Sequence, residues 1–326
     1  MSNAIKTRVV GIDICDNITT FGVIDLRGTV LAESKINTKD YPDINDFVSI
    51  LCERIIELVD KNGGYEQVRS VGVSAPSANF LTGCIENAVN FPWKGIIPLA
   101  AMMRDQLGLA VAVANDAHVT AIGEHVYGSA HGMKDFIVIS LGHGGVGSCY
   151  FSNGVASLGE YGSAGEIGHT CVEENGRQCT CGRRGCLEEY ASDRGILQTA
   201  RELLADSQEP SLLRDAEALS TDFIAECFDK GDALAVEVYR RTGEYLGIGL
   251  AFYAGVINPE AIILTGSLSH DWQRLEQFTL SSFDEHVFPN VRGKCKIMKS
   301  IIADSERDVI GAGALAWEVE EYSLFK

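Results

Sequence analysis

The sequence predicts an α/β protein built as two similar halves. Two observations carry this. Short apolar runs of strand length alternate with longer stretches of helical apolar spacing, and a strand–hairpin–strand opening occurs twice, near residue 8 and again near residue 135. A chain of 326 residues is long enough to bury a core in each half.

The elements follow in order. Residues 8–14, 19–25 and 29–34 (RVVGIDI, TTFGVID, TVLAES) read as three short strands, with Arg27-Gly28 at a hairpin turn. Ile44, Phe47, Val48, Leu51, Ile55, Ile56 and Val59 recur at helical spacing over 43–61, and Asn62-Gly63-Gly64 stops that helix. A buried strand is expected at 68–74, a helix at 96–107, a second buried strand at 109–114 and a helix just after Asn115-Asp116. Strands at 135–141 and 147–151 end in glycine-rich turns. Helices are expected at 187–206, 220–230 and 232–256, then a buried strand at 261–265 followed by Gly266 and another helix. The last strand is placed at 294–299 and the last helix at 308–320. The domains are expected at 1–117, completed by the C-terminal segment 308–326, and at 118–307.

Composition narrows the function classes. A hydrophobic fraction of 46% and a charged fraction of 22% are ordinary for a globular protein. Asp and Glu outnumber Lys and Arg 45 to 27, a formal net charge of −18, which disfavours nucleic acid as a partner because nothing offsets phosphate repulsion. No run approaches the roughly 20 apolar residues of a membrane span, so no membrane partner is expected. The N-terminal residues lack the apolar core and cleavage site of an export signal. Ten cysteines without such a signal read as reduced thiols and place the chain in the cytoplasm.

The most unusual stretch is 166–188, EIGHTCVEENGRQCTCGRRGCLE. His169 is separated by nine residues from Cys179-x-Cys181, and Cys186 follows after four more. Zinc takes four such ligands in a tetrahedron, and Gly182 and Gly185 permit the tight backbone of a knuckle. Free thiols or a disulfide are the competing readings. Cys171 is a rival ligand, two residues from His169, and is read as a packed thiol.

The run GEIGH-x9-CxCGxxGCLE resembles the signature of the ROK family of sugar kinases and related repressors. GIDI at 11–14, FGVID at 21–25, Asn90-Phe91-Pro92-Trp93, Asn115-Asp116-Ala117, Gly123-Glu124, Asn258-Pro259-Glu260 and Gly311-Ala312 match the same family in order, over nearly the whole chain. The resemblance implies an actin-like, ribonuclease-H-like two-domain fold around a central cleft, with a structural zinc knuckle. It implies a hexose or amino sugar as ligand and, commonly, a homodimer. The family's repressors carry an N-terminal helix-turn-helix segment, for which a first strand near residue 8 leaves no room.

Residue by residue, the resemblance implies that Asp116 is the catalytic base toward the sugar 6-hydroxyl, whose oxygen attacks the γ-phosphate of ATP with Mg²⁺ offsetting charge. The competing reading of Asn115-Asp116 is a helix N-cap, and the two residues can divide these roles. Asn90, Asn115, Asp116, Glu166, His169 and Glu188 are implied sugar contacts. His169 would bind zinc through one nitrogen and a hydroxyl through the other. A charge complementing a helix dipole is the plainer role for Glu188.

Asp13, Gly142, His143, Gly144 and Gly266 are the implied nucleotide contacts, and here the chain departs from the family. Gly-Gly-Thr after the first Asp is replaced by Ile14-Cys15-Asp16-Asn17, and the second phosphate turn reads Gly142-His143-Gly144-Gly145-Val146-Gly147. A carboxylate 4 Å from phosphate costs about 4 kcal/mol at an effective dielectric of 20. The expected function is ATP-dependent phosphorylation of a hexose. The alternative is a sugar-binding ROK protein with weak or no kinase activity, because both phosphate loops are altered.

Overall fold

The computed structural model describes residues 6–89, 91–142 and 145–319, so the expected site residues Asn90, His143 and Gly144 lie outside the described residues. The chain forms two compact units, one from residues 6–132, 158–164 and 301–319, the other from 133–157 and 165–300.

The first unit runs β1 (Arg8–Ile14), β2 (Ile18–Asp25), β3 (Val30–Asn37), α1 (Ile44–Lys61), β4 (Val68–Ser74), three very short strands β5 (Ala78–Asn79), β6 (Cys84–Glu86) and β7 (Ile96–Ile97), α2 (Leu99–Leu107), β8 (Ala110–Ala114) and α3 (Asp116–Val126). Its main sheet has the order β3-β2-β1-β4-β8. β1, β2 and β3 form an antiparallel meander, while β4 and β8 run parallel to β1.

The second unit contains β9 (Phe136–Gly142), β10 (Gly145–Ser152), β11 (Val155–Ala156), α4 (Asp193–Asp206), α5 (Thr221–Asp229), α6 (Ala233–Ile257), β12 (Ala261–Thr265), α7 (Trp272–His286) and β13 (Lys296–Lys299). Its sheet order is β11-β10-β9-β12-β13, with β10 antiparallel to β9 and β12 and β13 parallel to it. The repeated opening in the sequence thus corresponds to two sheets of the same plan. Alternate residues of β9 (Ile137, Ile139, Leu141) enter a core with Ile196, Leu246, Leu250, Ile262 and Leu264. The helix expected at 187–206 is interrupted: a single 3₁₀ turn over 187–189 precedes α4, whose N-cap Ser192 accepts from Gly195 N at 3.1 Å.

The chain returns to the first unit with α8 (Asp304–Glu318). β1 shows why this helix matters. Val10, Ile12 and Ile14 join the core formed with Phe47, Leu51 and Ile55 of α1 and Met103 and Leu107 of α2. The alternate residues Val9 and Gly11 face α8, where Val9 packs with Val309. A Cβ at Gly11 or Gly72 would collide with the Val309 or Ala312 carbonyl, so only glycine lets the helix backbone lie on β1 and β4. α8 also crosses α3, where an added Cβ on Gly123 would stand 3.1 Å from Gly311 Cα. That crossing places α3 in the first unit and moves its boundary from the expected 117 to 132. α8 starts at Asp304, not 308, because its first turn is polar and acidic, favourable at a helix N-terminus but invisible to apolar spacing. No described helix is long and apolar enough to cross a membrane.

Candidate functional site

The stretch 166–188 folds as a knuckle in the second unit. Glu166 precedes a 3₁₀ turn, 167–169, that buries Ile167 and leaves Glu166 exposed. Gly168 is required there, since a Cβ would collide with the Val146 carbonyl of β10. The chain then doubles back. Val172 N donates to Gly185 O at 2.8 Å, Gly185 N to Arg177 O at 2.8 Å and Cys179 N to Arg183 O at 2.9 Å. Gly185 holds φ +72° against the Glu173 carbonyl, a position only glycine can fill.

This backbone brings His169, Cys179, Cys181 and Cys186 together, with one ligating atom of each within 4.8 Å of the others. Cys179 Sγ lies 3.6 Å from His169 Nδ1, and Cys181 Sγ lies 3.6 Å from Cys186 Sγ. The second distance is far beyond a disulfide bond, and no described cysteine is in a disulfide. Cys171 bridges to Cys186 through its backbone but stays outside the group and is exposed, contrary to its reading as a packed thiol. The Arg183 backbone and side chain pull the Cys181 thiol down to about 6, toward the thiolate a metal needs, whereas burial pushes Cys179 and Cys186 up.

Glu188, 6% exposed, stands against this group. Its Oε1 accepts from Cys179 Sγ at 3.1 Å and lies 3.7 Å from His169 Nδ1 and 3.4 Å from Arg194 Nη2. Arg177 was missed by sequence reading. Its guanidinium donates to Glu189 O at 2.6 Å, Gly195 O at 3.1 Å and Thr199 Oγ1 at 2.8 Å, pairs with Glu202 at 2.5 Å and lies 4.6 Å over the Tyr190 ring. It ties the knuckle to α4.

Gly142 and Gly266 meet at the C-terminal ends of β9 and β12. A Cβ on Gly142 would stand 2.8 Å from Ser267 Oγ, and one on Gly266 would collide with Leu141 O. Ser267 in turn donates to Asp193 at 2.8 Å.

The remaining candidates lie in the first unit. Asn115 is the N-cap of α3: its Oδ1 accepts from Ala117 N at 2.9 Å, and Asp116 Oδ1 accepts from the same N–H at 2.8 Å. Asp116 keeps an exposed side chain yet is crowded by protein atoms, and this burial raises its proton affinity against the opposing hydrogen bonds. Two residues on, His118 is buried and pushed down to about 4 by burial, its ring edge-on to Phe80 at 5.4 Å. Asp13, at the end of β1, accepts from Cys15 Sγ at 3.2 Å. Burial raises its proton affinity, Cys15 and Ser74 oppose this, and Asp116 adds to it. Asp16 sits at the exposed tip of the β1–β2 turn.

A third carboxylate joins them that sequence reading did not single out. Asp308 of α8 is pushed up to about 7 by burial and by Asp13 and Asp116, with Arg307 pulling the other way. Asp13, Asp116 and Asp308 therefore form one electrostatically coupled centre, while Glu166, His169, Glu188, Gly142 and Gly266 belong to the other unit.

Comparison with known proteins gives a consistent result. A glucokinase from Halalkalibacterium halodurans is 30% identical over 95% of both chains. A ROK family glucokinase from Streptomyces griseus, solved with glucose and AMPPNP, is 28% identical with a TM-score of 0.76, covering 96% of this chain and all of that one. A ROK family transcriptional regulator, homologous to the E. coli MLC protein, is 25% identical with a TM-score of 0.82, covering 94% of this chain and 78% of that one. The ROK family model itself matches residues 9–319, and the chain belongs to the ROK family.

Proposed function

We propose that the chain is an ATP-dependent hexose kinase in which Asp116 takes the proton of the sugar 6-hydroxyl. The observation that carries this reading is the state of Asp116. It is fixed at the start of α3 by the Ala117 N–H, open to solvent, and raised in proton affinity by the protein around it. A carboxylate so raised is a better general base than an ordinary one. As the proton moves to Asp116, the sugar oxygen forms a bond to the γ-phosphorus and the bond to the β-phosphate oxygen breaks, giving sugar phosphate and ADP. Asp13 would hold Mg²⁺, which neutralises phosphate charge when bound. Similarity to glucokinases along nearly the whole chain supports a hexose as acceptor.

The altered first phosphate loop is compatible with this chemistry. Asp16 is at an exposed tip. Water there screens its charge, and a repulsion of about 4 kcal/mol at 4 Å falls toward about 1 kcal/mol.

The knuckle fits zinc. Bonds of about 2.3 Å to sulfur and 2.0–2.1 Å to nitrogen put the edges of a tetrahedron near 3.5–3.8 Å, and both separations of 3.6 Å fall in that range. His169, Cys179, Cys181 and Cys186 fill all four positions, so the zinc is structural. With His169 Nδ1 turned to the thiols, the ring's other nitrogen is left for a sugar hydroxyl, beside Glu166 and Glu188 as further contacts.

A thermal-shift panel of hexoses, with and without Mg-ATP, tests the reading, because ligands that bind the native state raise its stability. A shift with at least one hexose and a separate shift with Mg-ATP are expected. A protein that responds to sugars and never to Mg-ATP is not a kinase.

A further inference from the structure

Cys171 stands outside the metal group, yet the fold sets it directly across from one of that group's members. Cys171 and Cys186 are partners in an isolated antiparallel bridge. The backbone bonds that flank them run from Val172 N to Gly185 O at 2.8 Å and from Leu187 N to Thr170 O at 2.9 Å. The two cysteines exchange no backbone bond with each other, so they form the non-hydrogen-bonded kind of antiparallel pair. In such a pair the Cα atoms stand about 4.5 Å apart and both side chains leave the same side of the ladder. A disulfide spans Cα separations of about 4.4–6.8 Å, so this pair can close one with little backbone movement. Cys171 Sγ already leans across the ladder, since an added Cβ on Gly185 would stand 3.2 Å from it.

Exposure separates the two thiols. Cys186 is buried and belongs to the metal group, whereas Cys171 is exposed and does not. The other exposed cysteines are Cys15, in the first unit, and Cys181, itself a member of the group. Cys171 is thus the exposed thiol of the second unit that a zinc ion in the knuckle would not engage. A thiol open to solvent, with a second thiol fixed opposite to resolve it, is the arrangement of a reversible redox pair.

Taking the zinc ligands from the reading above, we propose that Cys171 is a thiol-modification site, which with Cys186 forms a reversible disulfide that unloads the knuckle's zinc. The oxidant is a small-molecule disulfide. The Cys171 thiolate attacks one of its sulfurs, a mixed disulfide forms, and the first small thiolate leaves. The Cys186 thiolate then withdraws from zinc and attacks the Cys171 sulfur, expelling the second small thiolate. Two protein sulfurs are oxidised, the small disulfide is reduced to two thiols, and the proton that Cys171 gave up ends on one of them. With Cys186 tied to Cys171, three ligands remain of a tetrahedral four, and His169 loses the anchor that fixes its ring. Cys181 Sγ, 3.6 Å from Cys186 Sγ, is the competing partner. In the loaded knuckle it is a zinc ligand like Cys186, so the exchange starts at Cys171.

Oxidised glutathione is the probe. The full-length, reduced, zinc-loaded protein is incubated with it, released zinc is read with a chromogenic chelator, and disulfides are mapped by non-reducing proteolysis and mass spectrometry. Wild type is expected to release about one zinc per chain and to fall from ten thiols to about eight. The missing pair should map to a Cys171–Cys186 cross-link that dithiothreitol reverses. Cys171→Ser should keep its zinc through the same treatment, and before oxidation it should melt with wild type. Wild type that keeps its zinc and all ten thiols overturns the proposal. So does zinc release that is just as fast from Cys171→Ser, or a cross-link that maps to Cys181–Cys186. Zinc in the reduced protein is measured first. A reduced protein without zinc that still forms the Cys171–Cys186 cross-link upholds the redox pair and overturns the zinc reading. Zinc that is present and stays bound, with no cross-link formed, overturns the redox pair alone.

Discussion

In the second unit, four potential metal ligands come from the single stretch 169–186 and are held by hydrogen bonds within that stretch. In the first unit, three carboxylates come from residues 13, 116 and 308 and are brought together by a helix whose backbone lies on glycines of the sheet. The electrostatics differ as much as the construction. Around the knuckle, Arg183 eases Cys181 toward its charged form, whereas in the acidic centre burial and mutual repulsion push protons onto the carboxylates. The knuckle is a local scaffold whose four side chains could hold a fixed cation. The acidic centre is a tertiary construction whose uncompensated charge suits groups that must accept a proton or a mobile cation.

The sharpest break of this comparison is substitution at Asp116. Asp116→Asn should lower hexose-dependent ADP formation by about a thousandfold or more, within the range expected for a general base, while leaving the melting temperature unchanged or raised. Retention of a tenth of the activity would move the base elsewhere.

Next in size is the knuckle. Cys181→Ser should reduce bound zinc, by elemental analysis, well below one per chain and lower the melting temperature, with sugar affinity falling in parallel. Zinc loss with sugar binding intact would separate the knuckle from the sugar site.

Arg177→Met should cost about 1–3 kcal/mol by urea unfolding, since it leaves the Glu189 and Gly195 carbonyls short of a donor. An unchanged midpoint would show that the knuckle stands without its tie to α4.

The last expected effect is a pH dependence of stability in chelated buffer. The folded pKa of Asp308, about 7, lies above the ordinary carboxylate value, so the native state holds a proton that the unfolded chain releases. Stability from this group is fully present below about pH 4 and is lost as pH rises through about 7. Asp308→Asn should therefore match wild type at pH 4 and gain over it progressively as pH rises to 8. A constant difference across that range would remove Asp308 from the coupled centre.

The same contrast explains what was legible in the sequence. The two sheets are visible because strand alternation and short turns are local, and the knuckle because its ligands are close in the chain. The strands at 78–79, 84–86 and 96–97 are too short to carry any periodicity. Arg177 looks like any charged loop residue until α4 is placed beside it. Asp308 stood at the expected start of a helix, where an acidic residue is unremarkable. Its partners are far away in the chain, and only the approach of α8 to Gly11 of β1 and Gly123 of α3 reveals them.

The most direct measurement is a single-turnover reaction of the wild-type protein with γ-labelled ATP, Mg²⁺ and a panel of hexoses and amino sugars, with products separated and counted. Label should move from ATP to at least one sugar, in proportion to ADP formed, and the transfer should stop when Mg²⁺ is chelated. Sugars that raise the melting temperature but never take up label would contradict the account.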